Sequence, residues 1–588
     1  MSRSAGNLGA FIFLTLFFLL ILVRATLIYT AYTSIKGVSD CPSCMAATAM
    51  QQDASLFALI FVLTGCTYFT QRYWLQLPWS LIGIASLGIF AADIAIIRIF
   101  SQRLYLFDLI KFNKAFKELM KFINAFLATH PGKFALVLAI ACTVLILTLL
   151  PRPRRPRLAL GCFIVAAALA LLGQWRPVTL NYIFAEWLQN VIAVNRNFSL
   201  DRPYGNSYIK RITAEYVPPQ PVCSPGQARH PNIIILEVES LSMNHSRLFG
   251  GEYDLMPHFD AIARNHAWFP NFIANGFTTD GGLIAMITGR PPIPAVTGQR
   301  QGADAFAGFA DPQGALPDLL HPEGYSVHFF ATGNLGFLDQ NKWLEALHFD
   351  SWEGAESQFY NGWKRYVFDA AEDKALYLRF LQWLDQHTSQ QPFLAFLSTL
   401  STHLPFIDPR DDKPSEKGAF QYADEQIGIF YENLKKRGFF QKGILLVLGD
   451  HHSMRPLRTA EWKRFGDSAL ARTPLVLATD LPLARGEITG VFQQTDFVSS
   501  LADLVKTQVC RTPAQGVFLR ATPIPAAYAL HVRGDKRSEI DVFFGSQQAQ
   551  IVLDGDHSYW KGPKPAEWNT IFNGIMLDRI QRSNIPHP

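Results

Sequence analysis

The stretch PNIIILEVES, residues 231–240, joins a β-branched apolar run to a carboxylate near its end. A run this apolar is typical of a strand that is buried on both faces, as in a mostly parallel sheet covered by helices. A carboxylate such as that of Glu239 is costly to bury there unless it is paired or bound to a metal. The stretch therefore predicts a strand of an α/β domain with an acidic group at its carboxyl end, where function collects in such folds.

Strand-like runs recur downstream and alternate with helical patterns. The runs are YSVHFFAT (325–332), FLAFLSTLS (393–401), GILLVLGD (443–450) and PLVLATD (474–480). One helical pattern, YADEQIGIFYENLKKRG (422–438), ends in basic residues and a glycine, which is a helix stop signal. This alternation predicts a mostly parallel sheet with helices on both faces.

Metal-ligand chemistry appears at the end of the run GILLVLGD. Asp450 and His451 follow the apolar residues directly and offer an oxygen and a nitrogen donor, which suit Zn²⁺ or Mn²⁺. An acidic residue at one strand end is more often a helix cap or a surface group. Because Glu239 ends another strand of the same predicted sheet, we interpret the three side chains as ligands of one divalent ion.

A glycine-rich turn, FTTDGG (277–282), carries two adjacent threonines before an apolar helical pattern. Such a turn often serves only to change chain direction. In an enzyme it can also present a nucleophile at the positive end of a helix, where bound metal lowers the pKa of the hydroxyl. Glu239, one of these threonines, Asp450 and His451 would then form a four-ligand site whose threonine is the attacking group.

His403 lies just past another predicted strand, in STLSTHLPF (398–406). We expect it either to bind a phosphate or to protonate a leaving group. The alternative is a histidine that merely packs beside a proline.

The first third of the chain contains five apolar segments that we interpret as membrane spans, rather than as buried helices of a globular core. They are residues 8–32, 55–69, 79–97, 134–150 and 158–173. PRPRRPR (151–157) places four arginines between the last two segments, which indicates the cytoplasmic side. The N-terminus is therefore expected in the cytoplasm, and everything after the fifth span outside.

These features predict three regions. Residues 1–175 form a five-span transmembrane domain, with an amphipathic segment at 98–132 that lies in the interface or packs under the soluble domain. Residues 176–228 are a linker, and residues 229–588 are the extracytoplasmic catalytic domain. The net charge of +5, from 53 basic and 48 acidic residues, is too balanced to suggest nucleic acid binding.

Four cysteines lie in parts of the chain predicted to be outside the cytoplasm. Cys41 and Cys44, in the first outer loop, either form a disulfide or remain two free thiols. Cys223 and Cys510 follow the spans, and a disulfide between them is possible without support from any spacing rule.

Together these motifs resemble the membrane-anchored lipoteichoic acid synthases and the related phosphoglycerol and phosphoethanolamine transferases, in the sulfatase branch of the alkaline phosphatase superfamily. PNIIILEVESLS is similar to the family's first strand, with Glu239 at its metal-binding glutamate. Asp450 and His451 match its Asp-His metal pair, and His403 matches the substrate-contacting histidine of its Thr-x-Ser-x-His-x-Pro stretch. The resemblance covers roughly residues 231–500.

The resemblance implies five spans followed by an extracytoplasmic sulfatase-like α/β domain in the bacterial cytoplasmic (inner) membrane, facing the periplasm or the outside. It implies a transferase that uses one divalent ion, Mn²⁺ or Zn²⁺ with Mg²⁺ as an alternative. The donor would be a membrane phospholipid whose phosphoglycerol or phosphoethanolamine head group passes through a threonine-linked intermediate. The acceptor would be an extracytoplasmic glycan or lipid. Alternatives are a phosphodiesterase or sulfatase-type hydrolase, and a non-catalytic lipid-sensing regulator on the same scaffold.

Three details refine this expectation. Sulfatases use a Cys or Ser that is oxidised to formylglycine, and neither occupies the turn, which argues against sulfate ester hydrolysis. Thr279 stands ten residues before Gly289, as the sulfatase nucleophile stands before its Thr-Gly pair, whereas the Thr-Ser-Asp of some lipoteichoic acid synthases would favour Thr278. We predict Thr279. Leu338 and Gln340 replace the Trp and Arg of those synthases, which weighs against a polyglycerolphosphate polymerase.

Overall fold

A computed structural model describes residues 2–34, 41–100, 103–105, 131–173, 185–196, 202–296, 306–387, 390–455 and 457–583. The chain divides into two compact units. The first holds the N-terminal helices up to Phe198, together with the short segment Pro456–Trp462. The second holds most of the chain from Ser199 onward.

The first unit is helical. Its helices are α1 (Ser2–Ser34), α2 (Pro42–Phe69), α3 (Tyr73–Phe100), α4 (Pro131–Leu149), α5 (Pro156–Gly173), α6 (Ala185–Leu188) and α7 (Val191–Arg196). Among the described residues, α1, α2, α3 and α5 are long and apolar enough to cross a membrane. The predicted fourth span coincides with the 19-residue α4, which is not one of those four. Most of the amphipathic segment predicted at 98–132 lies outside the described residues.

Two buried ion pairs hold this helical unit together. Arg24 of α1 contacts Asp53 of α2 at 2.5 Å, and Arg103 contacts Asp93 of α3 at 2.9 Å. Both arginines also donate to the carbonyl of Gln189, at 2.5 and 2.8 Å. Charges buried this deeply need such pairing, so the segment between α6 and α7 is tied to the first three helices.

The second unit is built on an eight-stranded sheet whose order is β12-β3-β11-β10-β2-β7-β5-β6. The strands of the unit up to β9 are β1 (Val222–Pro225), β2 (Asn232–Val238), β3 (Ala267–Phe269), β4 (Phe272–Ile273), β5 (Ser326–Ala331), β6 (Ser351–Glu353), β7 (Phe393–Ser398), β8 (Ile407–Asp408) and β9 (Lys413–Pro414). The later strands are β10 (Gly443–Gly449), β11 (Leu475–Ala478), β12 (Gly486–Glu487), β13 (Phe492–Gln493), β14 (Gln508–Arg511), β15 (Ala529–Val532), β16 (Glu539–Phe544), β17 (Gln547–Val552) and β18 (Tyr559–Lys561).

The described helices after residue 200 are α8 (Asn206–Glu215), α9 (Pro257–Asn265), α10 (Thr279–Thr288), α11 (Leu316–Leu320), α12 (Gln340–Ala346), α13 (Asp373–Gln386), α14 (Glu416–Lys436), α15 (Thr459–Phe465), α16 (Asp496–Val505) and α17 (Trp568–Ser583). The sheet is covered by α10, α11, α12 and α16 on one face and by α9, α13 and α14 on the other. Ile233 and Ile235 of β2 face a core with α10 and α16, while Ile234 and Leu236 face a core with α9, α13 and α14. The predicted class, apolar helices followed by an α/β domain with a mostly parallel sheet, is confirmed, and four of the five predicted spans fall in helices long and apolar enough to cross a membrane.

Strand register brings the candidate site together. β2 runs parallel to β7 on one side and to β10 on the other. Val238, the last residue of β2, pairs with Gly449, the last residue of β10, and Glu237 pairs with Ser398, the last residue of β7. The residues that follow these three strands therefore lie together at the carboxyl ends of the parallel strands. β11 runs antiparallel to β10, so it ends at the opposite end of the strands.

Part of the segment predicted as a linker belongs to the second unit. The helix α8 packs against the C-terminal helix α17, and the hydroxyl of Tyr204 accepts a hydrogen bond from Arg579 at 2.7 Å. The strand β1 pairs with β14, and Cys223 and Cys510 form a disulfide across that pair. Cys41 and Cys44 also form a disulfide, so both cysteine pairs that the sequence left open are bonded.

Candidate active site

Glu239 lies in the turn that follows β2, and its main chain is held from two directions. Its N–H donates to Thr399 Oγ1 at 3.1 Å, and its carbonyl accepts from Thr402 Oγ1 at 2.6 Å. Both threonines belong to the segment after β7. The next residue, Ser240, has a left-handed φ of 58°, which bends the chain sharply after the glutamate. Glu239 is thus fixed by the neighbouring strand end.

Asp450 and His451 follow β10 directly and are almost completely buried. Asp450 Oδ1 accepts from the main-chain N–H groups of Ser240, at 2.7 Å, and of His451, at 2.8 Å. The imidazole of His451 is oriented by its Nδ1–H, which donates to the carbonyl of His452 at 2.8 Å. That bond turns the other ring nitrogen, Nε2, toward Asp450 and Thr279.

Thr279 is the first residue of α10, and Thr278 is the N-cap residue, whose side chain makes no capping hydrogen bond. Gly282, three residues further along α10, allows this helix to approach the residue that follows β10 closely. A Cβ added at Gly282 would lie 2.8 Å from the carbonyl oxygen of Asp450. Packing therefore requires a glycine at position 282, because a side chain there would push α10 away from Asp450.

The four predicted ligands converge. Thr279 Oγ1 lies 3.1 Å from Glu239 Oε2 and 3.3 Å from His451 Nε2. His451 Nε2 lies 3.1 Å from Asp450 Oδ2 and 3.6 Å from Glu239 Oε1. One ligand atom from each of Glu239, Asp450 and His451 lies within 4.8 Å of the others. Three chain segments that are 40 and more positions apart in sequence thus present their donor atoms to one small volume.

The electrostatics of this cluster fit a bound cation. Burial and the neighbouring Asp450 carboxylate raise the pKa of Glu239. Burial alone would lower the pKa of His451, but the carboxylates of Asp450 and Glu239 outweigh it and raise the pKa to about 9. Asp450 Oδ2 is buried and, despite its contact with His451, receives no hydrogen bond of acceptable geometry. Two carboxylates, an imidazole and a hydroxyl are a donor set that suits Mn²⁺ or Zn²⁺, whose charge would replace the protons that the group now shares.

Glu237 is a further buried carboxyl that the sequence analysis assigned no role. It lies in β2, two residues before Glu239. Both carboxyl oxygens are buried without a hydrogen-bond partner. Burial, Asp450 and Glu239 raise its pKa well above the usual range, so the neutral form is favoured. Its position two residues before Glu239 is the sequence feature that could have indicated a role at this site.

His403 lies in the loop after β7 but makes no hydrogen bond to the other four side chains. Its Nδ1–H donates to the carbonyl of Leu404 at 2.6 Å, and its ring meets Phe368 edge to face with centroids 5.0 Å apart. It is near enough to Glu239 for its charge to counter the rise in the Glu239 pKa. Phe368 has a left-handed φ of 57°, a strained conformation that often marks a functional loop.

Comparisons with known proteins show what this chain is similar to. The family model for Sulfatase matches residues 231–507. Lipoteichoic acid synthase 2 of Bacillus subtilis is 23% identical over 331 residues, covering 51% of this chain and 48% of the relative. Lipoteichoic acid synthase of Staphylococcus aureus (strain bovine RF122 / ET3-1) is 22% identical over 266 residues, covering 39% of this chain and 37% of the relative. The chain thus spans about half the length, or less, of the curated relatives it matches.

The fold of the chain is similar to that of a solved membrane protein. It is the integral membrane protein lipooligosaccharide phosphoethanolamine transferase A (EptA) from Neisseria meningitidis, with a TM-score of 0.50 and 14% identity. The match covers 85% of this chain and 95% of that chain. At this identity the likeness concerns the fold alone. Residues 231–507 are therefore a Sulfatase-family domain, in a chain that is similar in sequence to lipoteichoic acid synthases and in fold to a phosphoethanolamine transferase.

Proposed function

We propose that this protein is a membrane-anchored, metal-dependent phosphotransferase. It moves a phosphoglycerol or phosphoethanolamine head group from a phospholipid, through an intermediate on Thr279, to an extracytoplasmic glycan or glycolipid. The observation that carries the proposal is the position of the Thr279 hydroxyl, 3.1 Å from Glu239 and 3.3 Å from His451, at the start of a helix. The sulfatase-family domain and the names of the relatives support it.

Glu239, Thr279, Asp450 and His451 would hold one divalent ion, Mn²⁺ or Zn²⁺, with Mg²⁺ as an alternative. When bound, such an ion lowers the pKa of a ligand hydroxyl and polarises a phosphoryl oxygen. The protein adds the positive N-terminal end of α10, a helix of ten residues, which stabilises negative charge on an incoming phosphate.

The proposed reaction has two halves. In the first, Thr279 Oγ1, which would already have lost its proton to solvent, attacks the phosphorus while the bond to the diacylglycerol oxygen breaks, and His403 donates a proton to that leaving oxygen. In the second, the now neutral His403 takes the proton of an acceptor hydroxyl, which attacks the phosphorus, and the bond to Thr279 Oγ1 breaks and returns the threonine in its deprotonated form. General acid–base catalysis of this kind contributes about 10²–10⁴-fold to a rate.

The proposed setting is the bacterial inner membrane, with the second unit facing the periplasm or the outside. Phospholipid donors are present in that membrane, and glycan or glycolipid acceptors are present on its outer side. The two disulfides support this orientation, because disulfides persist in oxidising compartments. We propose no nucleic acid partner.

The experiment that tests the proposal is intact-mass analysis of the full-length protein in detergent, incubated with Mn²⁺ and phospholipid vesicles. Phosphatidylglycerol and phosphatidylethanolamine vesicles are used separately, so the mass of the adduct identifies the head group. We expect an adduct on the peptide that contains Thr278 and Thr279, absent from Thr279→Ala and retained in Thr278→Ala. A wild-type protein that binds Mn²⁺ but never carries an adduct with either lipid would refute the transferase.

The alternatives give different outcomes in the same assay. A hydrolase would release the free head-group phosphate at the same rate with and without glycan acceptors, whereas a transferase would be accelerated by its acceptor. A lipid-sensing regulator would form no adduct, and a cellular phenotype of the deletion would be rescued by an Asp450→Ala variant.

A further inference from the structure

The side chain of Gln494 connects the two halves of the candidate site. It is fully buried, just after β13 and two residues before α16. Its Nε2 donates to the main-chain carbonyl of Asp450 at 2.5 Å. Its Oε1 accepts from the main-chain N–H of Asn275 at 2.9 Å. The Gln494 amide therefore bridges Asp450, the first residue of the proposed metal-binding pair, and Asn275, which lies two residues before the glycine-rich turn that contains Thr279.

Asn275 is itself held firmly. Its Oδ1 accepts from the Thr495 N–H at 2.9 Å, and its Nδ2 donates to the Leu530 carbonyl at 2.7 Å and to Gln493 Oε1 at 2.9 Å. Its carbonyl accepts from the Val532 N–H at 2.8 Å. The turn that leads to Thr279 thus starts from a fully hydrogen-bonded residue, so a displacement of Asn275 would be passed on to Thr279.

The helix that follows the turn packs on the same bridge. A Cβ added at Gly282 would lie 3.3 Å from Gln494 Nε2 as well as 2.8 Å from the Asp450 carbonyl. The nucleophile helix, the Gln494 amide and the carbonyl of Asp450 are therefore in direct contact. No space remains for the turn to shift relative to Asp450 while the bridge is intact.

We propose that Gln494 is a positioning residue for the nucleophile, which sets the location of Thr279 relative to Asp450 and His451. This inference rests on the proposed function, in which Thr279 completes a divalent cation site. The two side-chain hydrogen bonds of Gln494 go to main-chain atoms and not to the proposed ligand atoms. It would act only through the main chains of Asp450 and Asn275.

The test is a double-mutant cycle on Mn²⁺ affinity, measured by electron paramagnetic resonance with the full-length protein in detergent. Gln494→Met preserves side-chain length but removes both bridging bonds. If Gln494 acts through Thr279, we expect Gln494→Met to weaken Mn²⁺ binding by about 10–100-fold, the range for residues that orient metal ligands. In a Thr279→Ala background, Gln494→Met should weaken Mn²⁺ binding by less than about 3-fold, because the ligand that Gln494 positions is already missing.

Ser499→Ala is the matched control. Ser499 is a buried polar residue in the first turn of α16, and its hydroxyl donates to the carbonyls of Asp496 at 3.1 Å and Gly516 at 2.6 Å, with no hydrogen bond to Asn275 or Asp450. We expect Ser499→Ala to lower the thermal unfolding midpoint. Its effect on Mn²⁺ affinity should be the same with and without Thr279. If Gln494→Met does not fold, Gln494→Asn replaces it, since asparagine keeps the amide but is too short to reach both partners. The loss of Mn²⁺ affinity in Gln494→Asn should be smaller and should again depend on the presence of Thr279.

The outcomes separate this inference from the proposed function. An equal loss of affinity in both backgrounds would show that Gln494 acts on the Asp450–His451 pair and not through Thr279, which overturns the inference alone. A wild-type protein that binds neither Mn²⁺ nor Zn²⁺ would overturn the proposed metal site and the inference with it.

Discussion

The hydroxyl of Thr279 lies 3.1 Å from the carboxylate of Glu239, although the two residues are 40 positions apart in the chain. Thr279 contacts Glu239 because α10 begins at this threonine and its first residue lies beside the carboxyl end of β2. Thr278, one residue earlier, lies outside the helix as its N-cap. The contact therefore distinguishes two adjacent hydroxyls that are chemically the same.

Separate alanine substitutions at the two threonines should have very different effects. Thr279→Ala removes the proposed nucleophile, so we expect the release of diacylglycerol from phospholipid vesicles to fall by at least about 10³-fold. Thr278→Ala is the matched control and should stay within about 10-fold of the wild type, since no capping bond is lost. The reverse order would assign the reaction to Thr278.

His403→Gln should separate proton transfer from metal binding. We expect turnover to fall by about 10²-fold or more, because a glutamine amide cannot donate a proton to the leaving oxygen. Mn²⁺ affinity should remain within about 3-fold, since His403 makes no hydrogen bond to the four ligand residues. Lost metal affinity with little effect on turnover would assign His403 to the structure of the metal site instead.

Gly282→Ala should disturb the site without adding a charge or a polar group. The added methyl group would meet the Asp450 carbonyl at 2.8 Å, where main-chain atoms cannot move aside cheaply. We expect a destabilisation of about 1–3 kcal/mol, typical of overpacking, and weaker Mn²⁺ binding. Gly308→Ala is the control, since a Cβ there meets nothing closer than 3.8 Å. Equal effects of the two substitutions would contradict this explanation.

Stability should fall with rising pH because of Asp496. Burial raises the pKa of Asp496 to about 7, although the N–H groups of Gln493 and Gly516 donate to its carboxylate. The unfolded-state pKa is about 3.9, so the folded state binds the extra proton between about pH 4 and pH 7. The stability that this proton contributes is present below about pH 4 and is lost as the pH rises through about 7.

The measurement is the thermal unfolding midpoint at pH 5 and at pH 8. Asp496→Asn cannot ionise, so the difference between the two midpoints should shrink relative to the wild type. Asp385→Asn serves as the control, because its hydrogen bonds from Arg437 lower the pKa of Asp385, and it does not titrate in this interval. An unchanged difference in Asp496→Asn would argue that other groups cause the pH dependence.

Loss of the disulfide between Cys223 and Cys510 should destabilise the second unit. The bond closes a sequence separation of 287 residues, and native disulfides typically contribute about 2–4 kcal/mol. We expect a Cys223→Ser, Cys510→Ser double variant to unfold at lower urea concentration. The corresponding double variant of Cys41 and Cys44, which are three residues apart, should change urea unfolding of the second unit little. Free thiols at all four positions in protein isolated from cells would contradict an oxidising location.

Much of the architecture was predictable from local patterns. The run NIIILEV is apolar at every position except Asn232 and Glu237, and it forms a strand with helices on both faces because only burial on both sides accommodates such a run. The same reasoning identified GILLVLG as a strand and YADEQIGIFYENLKK as part of a helix. The apolar segments of the first third were identified by length and hydropathy, which need no tertiary information.

The partners of Glu239 could not be predicted in the same way. Its main chain is held by Thr399 and Thr402, more than 150 residues away, and by a left-handed residue at Ser240 that carries no sequence signal. Gln494 and Asn275 also escaped prediction, because a buried amide has the same local appearance as an exposed one. Their roles arise from hydrogen bonds between distant segments.

The sequence by itself determined the donor chemistry and the type of scaffold: carboxylate and imidazole groups at strand ends, hydroxyls in a glycine turn, and apolar helices before them. Local composition controls those properties, since side-chain chemistry and burial periodicity are encoded residue by residue. Only the tertiary structure decided that Thr279, rather than Thr278, contacts Glu239 and His451, and that Gln494 joins the two halves of the site. Those contacts depend on strand register and on the close approach of α10 at Gly282, which are set by packing between segments far apart in the chain.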